Sequence, residues 1–512
     1  MKNNKKFLGV EFGSTRIKAV ALDSEYKPVS SGDYTWASSF ENGIWTYDVS
    51  KVWDGLKTAL SQIQGREDVC YMGLSGMMHG YLVFDEDWNL LVPFRTWQNT
   101  ITAPAAYELT ELFNFNIPQR WSIAHLYQAV LNGEEHVSRV AHITSLAGYV
   151  HYMLTGVNAV GIGEASGMFP VDTEKLCYDE KMVEKFNKLA EEKKIPWKLT
   201  EVLPKILVAG DNAGCLTEEG SEMIDGLLPE GIPFAPPEGD GGTGMIATNA
   251  VAPRTGNVSA GTSIFAMVVM EKPLENVYEE IDIITTPSGK NVAMVHGNNC
   301  TTDSNAWVSV LKESAMLLGA DASDGDIYTK LYEKSLQGDA DCGGVLVCNY
   351  LAGEVITHIE NGRPLVVRRP DSKFTLANFF RSILYSTMAT LKLGMDILEK
   401  ENVKIDSMTG HGGLFKTPKV GQTYMSCVCS GAPITCMKTA GEGGPYGMAL
   451  LAAYACDKND GETLEEYLDN RVFKNAESVT VKADQSDIDG FNKYMEDYKK
   501  MLEIERTASE MI

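Results

Sequence analysis

The residues best suited to chemistry lie in short glycine-rich stretches between apolar runs. The first stretch reads GVEFGSTRIK, with a carboxylate at Glu11, a turn of Gly13, Ser14 and Thr15, and a cation at Lys18. Successive backbone N–H groups in such a turn can cradle an anion, and the hydroxyls and lysine add donors. Glu11 would stand beside such an anion site. A charge that merely ends an edge strand is the alternative interpretation of Glu11.

A second stretch, SAGTSIFA, repeats this design about half a chain later, with Gly261, Thr262 and Ser263 in the turn. One such turn is weak evidence for a phosphate site, whereas a matched pair is much stronger. The pair predicts two related domains, residues 1–250 and 251–512, with the boundary near 245–254.

Two further stretches carry polar side chains between glycines. GDGGTGM would project the carboxylate of Asp240 from a loop, and SGMMHG places Met78 and His79 in another loop. A neutral histidine both donates and accepts, which suits hydroxyl groups. Taken singly, these stretches leave open a turn-forming aspartate and a histidine packed in the core.

The second half adds two more glycine-rich stretches, at residues 410–416 and 441–447. The first contains Gly412, Gly413 and Lys416, and Lys416 alone is more often a solvated lysine than a ligand. Glycine permits a positive φ angle and close approach of the backbone to a ligand.

Several other chemistries are excluded by pattern. The chain has no G-x-x-x-x-G-K-[ST] stretch, no G-x-G-x-x-G after the first strand and no protein-kinase H-R-D with D-F-G. Cys427, Cys429 and Cys436 with His411 have a spacing that does not bring two thiolates together, so buried structural thiols are expected rather than a metal site.

Composition narrows the class of protein. The chain has 512 residues and a net charge of -24, which argues for more than one domain and against nucleic-acid or anionic-membrane binding. The ten cysteines show no disulfide spacing, and no apolar run reaches the length of a membrane span. These features predict a cytoplasmic protein with reduced thiols.

Hydrophobic periodicity supplies the elements that must position these residues. It predicts a hairpin over residues 7–22, a helix through Val52, Leu56 and Ile63, and a mainly helical region from about 103 to 199. Residues 70–93 read as strand, loop, strand, turn and strand. The clearest helix spans 375–402, and the acidic tail after Asp457 reads as helical.

In this order, the stretches resemble the FGGY carbohydrate kinase family of the actin, hexokinase and Hsp70 superfamily. GVEFGSTRIKAVALD and SAGTSIFA resemble its two phosphate motifs, GDGGTGM its catalytic-aspartate loop and GHGGLFKTP its adenosine motif. GLSGMMHGYLVFD is similar to the sugar loop of its xylulokinases, EASGMFPVD to the A-S-x-x-x-x-D segment, and EGGPYGMALLAA to the closing helix. The resemblance implies an α/β protein with two actin-like (ribonuclease H-like) domains flanking a catalytic cleft.

The resemblance also implies a reaction and its participants. The γ-phosphoryl group of ATP would pass to a hydroxyl of a small sugar, with Asp240 as the base and with ATP and Mg²⁺ required. The sugar would contact Met78, His79, Asn99 and Asp240, and the metal Glu11. The nucleotide would be bound by the two turns and the adenosine motif, at Gly13, Ser14, Thr15, Lys18, Gly261, Thr262, Ser263, Gly412, Gly413 and Lys416.

The chain departs from the family pattern at two of these positions. Glu11 stands where members commonly have Asp, and Asn99 where xylulokinases have Asp in W-N-D. The sugar loop makes a ketopentose such as xylulose the leading substrate, and the departure at Asn99 leaves ribulose, gluconate, other ketoses or polyols as alternatives. A non-catalytic sugar or nucleotide sensor, an ATPase of the same superfamily that acts without a sugar, and a homodimer are also left open.

Overall fold

The computed structural model describes residues 5–321, 323–437 and 443–511. These residues form two compact units. Unit 1 comprises 5–251, 276–292 and 443–475, and unit 2 comprises the remainder. The division into 1–250 and 251–512 stays a prediction, and unit 1 differs from it by including the two later segments.

Most strands are short, and the longer ones carry the two main sheets. The strands are β1 Lys6–Phe12, β2 Arg16–Leu22, β3 Pro28–Thr35, β4 Ser39–Glu41, β5 Ile44–Thr46, β6 Val69–Gly76, β7 Leu82–Phe84, β8 His142–Thr144, β9 Ala159–Gly161, β10 Val171–Asp172, β11 Cys177–Tyr178, β12 Lys205–Leu207, β13 Glu238–Gly239, β14 Thr255–Ala260, β15 Ile264–Val269, β16 Asp282–Thr285, β17 Asn291–Gly297, β18 Val345–Cys348, β19 Leu365–Arg368, β20 Ser407–Gly412, β21 Ile434–Met437 and β22 Ser478–Val481.

Helices pack on the sheets and make up most of the regular structure between β7 and β12. They are α1 Lys51–Ser61, α2 Ala103–Phe113, α3 Ser122–Leu131, α4 Leu146–Thr155, α5 Ile162–Ala165, α6 Glu180–Glu192, α7 Leu199–Val202, α8 Glu218–Met223, α9 Asp240–Ala247, α10 Thr301–Leu317, α11 Asp324–Ser335, α12 Leu376–Lys400, α13 Val420–Val428, α14 Gly444–Asp457, α15 Leu464–Tyr467 and α16 Gln485–Met511. Among the described helices, none is long and apolar enough to span a membrane.

The main sheet of unit 1 has the strand order β13-β6-β1-β2-β3. β1 pairs antiparallel with β2 and parallel with β6, and β6 pairs parallel with β13. The apolar residues of β1 and β2 are buried in a core with those of α1. Helix α14 packs so closely on β1 that a Cβ at Gly9 would overlap the backbone of the helix. The predicted hairpin over residues 7–22 is confirmed.

Unit 2 repeats this arrangement in its own sheet, where β17-β15-β14-β20-β21-β22 lie in order. β14 pairs antiparallel with β15 and parallel with β20, as β1 does with β2 and β6. Helix α12, buried over most of its length, confirms the prediction for residues 375–402. The tail after Asp457 also contains β22, so it is not wholly helical.

The structure corrects two predictions about local structure. Asp240 does not lie in a loop, because it is the first residue of α9, which continues to Ala247 despite three glycines. Packing decides this: a Cβ at Gly447 of α14 would overlap the Thr243 carbonyl, so tertiary contact overrides weak helix propensity. The third strand expected before residue 93 is reduced to a single bridge between Phe84 and Leu90.

Candidate functional site

Three of the predicted site segments in unit 1, which contain Glu11, His79 and Asp240, lie where three parallel strands end together. Phe12 of β1 pairs with Gly76 of β6, and Gly76 pairs with Gly239 of β13. The carboxyl ends of parallel strands meet at one edge of a sheet, which is where α/β proteins bind ligands. The backbone N–H of Met78 lies 3.4 Å from Oδ1 of Asp240, joining the loop after β6 to the start of α9.

The first predicted phosphate turn is held in place by hydrogen bonds that its backbone carbonyl groups accept. The Gly13 N–H donates to the Arg16 carbonyl at 2.9 Å, the Trp36 indole donates to the Gly13 carbonyl at 2.7 Å, and the Tyr47 hydroxyl donates to the Ser14 carbonyl at 2.7 Å. The N–H groups of Ser14 and Thr15 have no acceptor among the described residues. The turn therefore presents two unused donors, as an anion site requires.

Glu11 lies beside this turn, opposite Lys18 on β2. Burial and the charge of Asp240 raise the pKa of Glu11 to about 8, while Lys18 and the Ser75 hydroxyl act in the opposite direction. Its carboxylate rests against Gly444, where a Cβ would overlap Oε2. A glycine at this position makes the room that the longer glutamate needs.

Asp240 stands at the N-terminal end of α9 with its carboxylate partly accessible. Its Oδ1 accepts the Gly241 N–H at 3.0 Å. Burial raises the pKa of Asp240 to about 6, against the lowering effect of the backbone donors of Met78 and Gly241. The group is thus ionised at neutral pH and can accept a proton.

Two further carboxyl groups, Glu164 and Glu238, lie buried behind Asp240. Oε2 of Glu238 accepts the Glu164 N–H at 3.0 Å at the start of α5, and glycines at 161 and 163 leave the space that Glu238 fills. Burial raises the pKa of Glu238 to about 8 and that of Glu164 well above its ordinary value. Glu238 is therefore largely uncharged at neutral pH, and its hydrogen bond links α5 to the segment that carries Asp240.

His79 adopts a left-handed backbone conformation, with φ of 71°. Such a conformation is uncommon for a residue other than glycine and often marks a functional position. Its Nδ1 lies 3.0 Å from the Gly167 carbonyl, while Nε2 has no partner among the described residues and is not fully buried. Burial and Arg120 lower the pKa of His79 to about 3. The ring is neutral, with Nδ1 donating and Nε2 free to accept.

The side chains of Met78 and Asn99 are occupied within the protein. The side chain of Met78 packs against Gly239. Asn99 is buried; its Oδ1 accepts the Trp45 N–H at 2.8 Å, and its Nδ2 donates to the carbonyls of Trp45 and Thr96. Asn99 therefore fastens β5 to the loop before α2, and its contact with a substrate stays a prediction.

The second turn, in unit 2, has the same construction as the first. The Gly261 N–H donates to the Ser263 carbonyl at 2.9 Å, and the Gly261 carbonyl accepts from Thr301 at the start of α10. Thr262 and Ser263 likewise have N–H groups without an acceptor in the described part of the chain. A pocket beside the turn is lined by Thr262, Asn299 and Asp303 among other residues.

The predicted adenosine residues lie next to this turn. β14 and β20 are parallel, and Ala260 pairs with Gly412, so the turn after β14 and the glycines after β20 share one sheet edge. Gly412 has φ of 100° and lies so close to Ala260 that a Cβ would overlap its carbonyl oxygen. Gly413 follows directly, and Lys416 is exposed. The stretch 441–447 lies partly outside the described residues.

Comparison with known families decides the identity of the two halves. Residues 6–247 match the N-terminal domain, and residues 256–456 the C-terminal domain, of the FGGY family of carbohydrate kinases. The chain belongs to the FGGY family of carbohydrate kinases. It is therefore an ATP-dependent sugar kinase, and the predicted fold class, α/β with two actin-like domains, is confirmed.

Individual FGGY relatives are distant in sequence and close in fold. The xylulose kinase of Haemophilus influenzae is 23% identical over 481 residues, covering 90% of this chain and 92% of that protein. A ligand-bound xylulose kinase of Lactobacillus acidophilus has a TM-score of 0.80 at 17% identity, with 97% of each chain covered. The gluconate kinase of the same organism also has a TM-score of 0.80 at 17% identity, with 98% of each chain covered.

Sequence reasoning missed Glu238, Arg120 and Asp282 in this FGGY chain. Glu238 stands two residues before Asp240, inside a stretch that drew attention only for its glycines. Arg120 and Asp282 form an ion pair within unit 1. No local pattern connects them, because each lies in an ordinary polar context far from the other along the chain. Among the described residues, no cluster of three metal-ligating side chains is present.

Proposed function

We propose that the chain transfers the γ-phosphoryl group of ATP to a hydroxyl of a ketopentose such as xylulose, with Asp240 as general base. The observation that carries the proposal is the meeting of Asp240 with the Met78–His79 loop at one sheet edge. An ionised carboxylate there can take the hydroxyl proton as the phosphoryl group arrives.

His79 would orient the sugar. Its accessible Nε2 is an acceptor because Nδ1 is committed to the Gly167 carbonyl. A neutral acceptor next to an anionic base binds a hydroxyl without competing for the proton. Gly167 supports this position, since a Cβ there would lie 2.7 Å from Nδ1.

The two turns would hold the phosphate groups of ATP. Each turn presents two N–H groups without an acceptor among the described residues, and neither carries a side chain larger than threonine at its tip. Backbone donors of this kind bind phosphate without a net positive charge, so the overall charge of -24 does not prevent the binding of ATP.

Glu11 would hold Mg²⁺, in company with water and phosphate oxygens. Burial and the nearby Asp240 raise the pKa of Glu11 to about 8, so a bound cation would favour the ionised form of its carboxyl group. One carboxylate oxygen suits an ion that keeps several of its waters. When bound, Mg²⁺ would neutralise charge on the transferring phosphoryl group.

The substrate is tested by ADP release with ATP and Mg²⁺ across a panel of D-xylulose, D-ribulose, xylitol and D-gluconate. We expect release that depends on a ketopentose. If ADP release is fastest with another panel member, that compound replaces xylulose as the proposed substrate, and the kinase reaction itself is retained. Sugar-independent release would indicate an ATPase, and binding without release would indicate a sensor.

Two further expectations from the sequence stay predictions. These are assembly as a homodimer and a cytoplasmic location. Light scattering coupled to size exclusion would measure the mass in solution: a mass of one chain would contradict the dimer.

A further inference from the structure

A partly buried ion pair lies beside the proposed sugar site in unit 1. Nη2 of Arg120 contacts Oδ2 of Asp282, and the two side chains are 26% and 11% exposed. Asn116 supports the carboxylate from the other side, with its Nδ2 3.4 Å from Oδ1 of Asp282 and 3.0 Å from the Ile281 carbonyl. The pair is therefore fixed in place by its surroundings.

The pair is tied directly to the loop that carries His79. The Gly80 N–H donates to the Arg120 carbonyl at 2.9 Å, and the next residue, Trp121, stacks on the His79 ring with centroids 6.4 Å apart. The charge of Arg120 also contributes to the lowered pKa of His79. A backbone hydrogen bond and a ring contact thus join the segment of Arg120 to the loop that carries His79.

The guanidinium of Arg120 retains unused donors, and its side chain is partly exposed. Its Nε and Nη1 have no acceptor among the described residues, yet neither atom is fully buried. Desolvation lowers the pKa of Arg120 to about 10, as occurs where protein atoms surround a group on most sides. An accessible but largely desolvated guanidinium forms strong hydrogen bonds to a ligand.

The charge of Arg120 is already matched by Asp282. A substrate carboxylate at this place would need a second cation, because it would otherwise compete with Asp282 for Arg120 and be repelled by the ionised Asp240. Two adjacent hydroxyls make no such demand. One can accept from the guanidinium while the other donates to Asp282.

We infer that the Arg120–Asp282 pair is a specificity-determining element that binds adjacent hydroxyls of an uncharged ketose or polyol and discriminates against aldonates. The inference rests on the proposed function for the position of the sugar. It adds the residues that choose between a neutral sugar and an acid such as gluconate.

The test is equilibrium binding of D-xylulose, D-ribulose, xylitol and D-gluconate by calorimetry, with ADP release measured in parallel. Arg120→Met should weaken binding of the preferred uncharged sugar by about tenfold or more, and Arg120→Lys by less, while ATP binding is unchanged. Asp282→Asn should add measurable binding of D-gluconate, because it leaves the arginine charge unmatched.

Arg471→Met is the matched control, since Arg471 and Glu462 form a pair of similar exposure in unit 1, at 27% and 13%. It should leave sugar binding unchanged, and thermal unfolding of all variants shows whether each is folded. Any one of three results would overturn the inference. The wild type could bind D-gluconate most tightly or bind no panel member, or Arg120→Met could bind the sugar as the wild type does. Arg120-dependent sugar binding without ADP release would refute the proposed function and leave the inference standing.

Discussion

At the residue scale, Asp240 is the side chain whose replacement tests the chemistry most directly. Asp240→Asn keeps the shape of the side chain and its place at the start of α9, but removes the proposed base. We expect kcat to fall by about 10²- to 10⁴-fold with ATP affinity nearly unchanged. Pre-steady-state phosphoryl transfer and ATP titration measure the two quantities, and normal turnover would remove Asp240 from the role of base.

The pH dependence of kcat should follow Asp240 and not His79. Burial raises the pKa of Asp240 to about 6, so the carboxyl becomes protonated and loses its base function as pH falls below that value. His79, with its pKa lowered to about 3, stays neutral throughout this range. The acid limb near pH 6 should therefore persist in His79→Gln. A limb that vanishes in this variant would assign the titration to the histidine.

The proposed metal role of Glu11 can be tested through the response to Mg²⁺. Glu11→Asp should retain or improve Mg²⁺-dependent activity, because the family commonly has a carboxylate one methylene shorter here. Glu11→Ala should need a higher Mg²⁺ concentration for half-maximal activity, measured at saturating ATP and sugar. If the alanine variant matches the wild type across Mg²⁺ concentrations, Glu11 is not a metal ligand.

At the scale of elements, a glycine at the start of α14 leaves the space that the Glu11 side chain near the end of β1 occupies. Gly444→Ala would place a Cβ on Oε2 of Glu11 and close to Thr243, and overpacking of this kind costs about 1–3 kcal/mol. We expect a lower Tm and lower activity. Adding Glu11→Asp should restore much of both, because the shorter side chain withdraws from the Cβ.

A double-mutant cycle measures this coupling in denaturant unfolding and in kcat. Gly461→Ala is a control for the loss of a glycine in unit 1, since a Cβ at this position would have no atom within 4 Å, although its φ of 79° adds strain of its own. Strictly additive effects of Gly444→Ala and Glu11→Asp would contradict a direct contact between these two positions.

Which elements could be predicted from sequence depends on where their determinants lie. The local spacing of apolar residues predicts the hairpin of β1 and β2 and the long helix α12, and the structure has both. Helix α9 does not, because its three glycines favour a loop and its stability comes from α14, which follows much later in the chain.

The same distinction between local and distant determinants applies to the residues of the candidate site. The glycine turns could be located from sequence because a turn and its hydroxyls are contiguous. The binding partners of Asn99 could not, since its amide bonds to Trp45, 54 positions away. The Arg120–Asp282 pair is likewise produced by the fold alone.

At the scale of the whole molecule, the net charge of -24 opposes the approach of ATP but not of a neutral sugar. Raising the salt concentration should lower KM for ATP, by no more than about tenfold, because screening weakens the long-range repulsion. The KM for the sugar should stay constant and serves as the internal control. A KM for ATP that rises with salt would mean that a local positive field dominates the approach.

The hydrogen bond from Trp36 to the first turn has a practical consequence. Its indole N–H is joined to the Gly13 carbonyl, and the ring is 6% exposed and packed against Tyr47. Indole emission responds to the polarity and bonding of its N–H group, so this side chain is a native optical reporter placed directly behind the turn. The fluorescence difference between the wild type and Trp36→Phe would isolate its signal and follow nucleotide arrival in real time, without any attached dye.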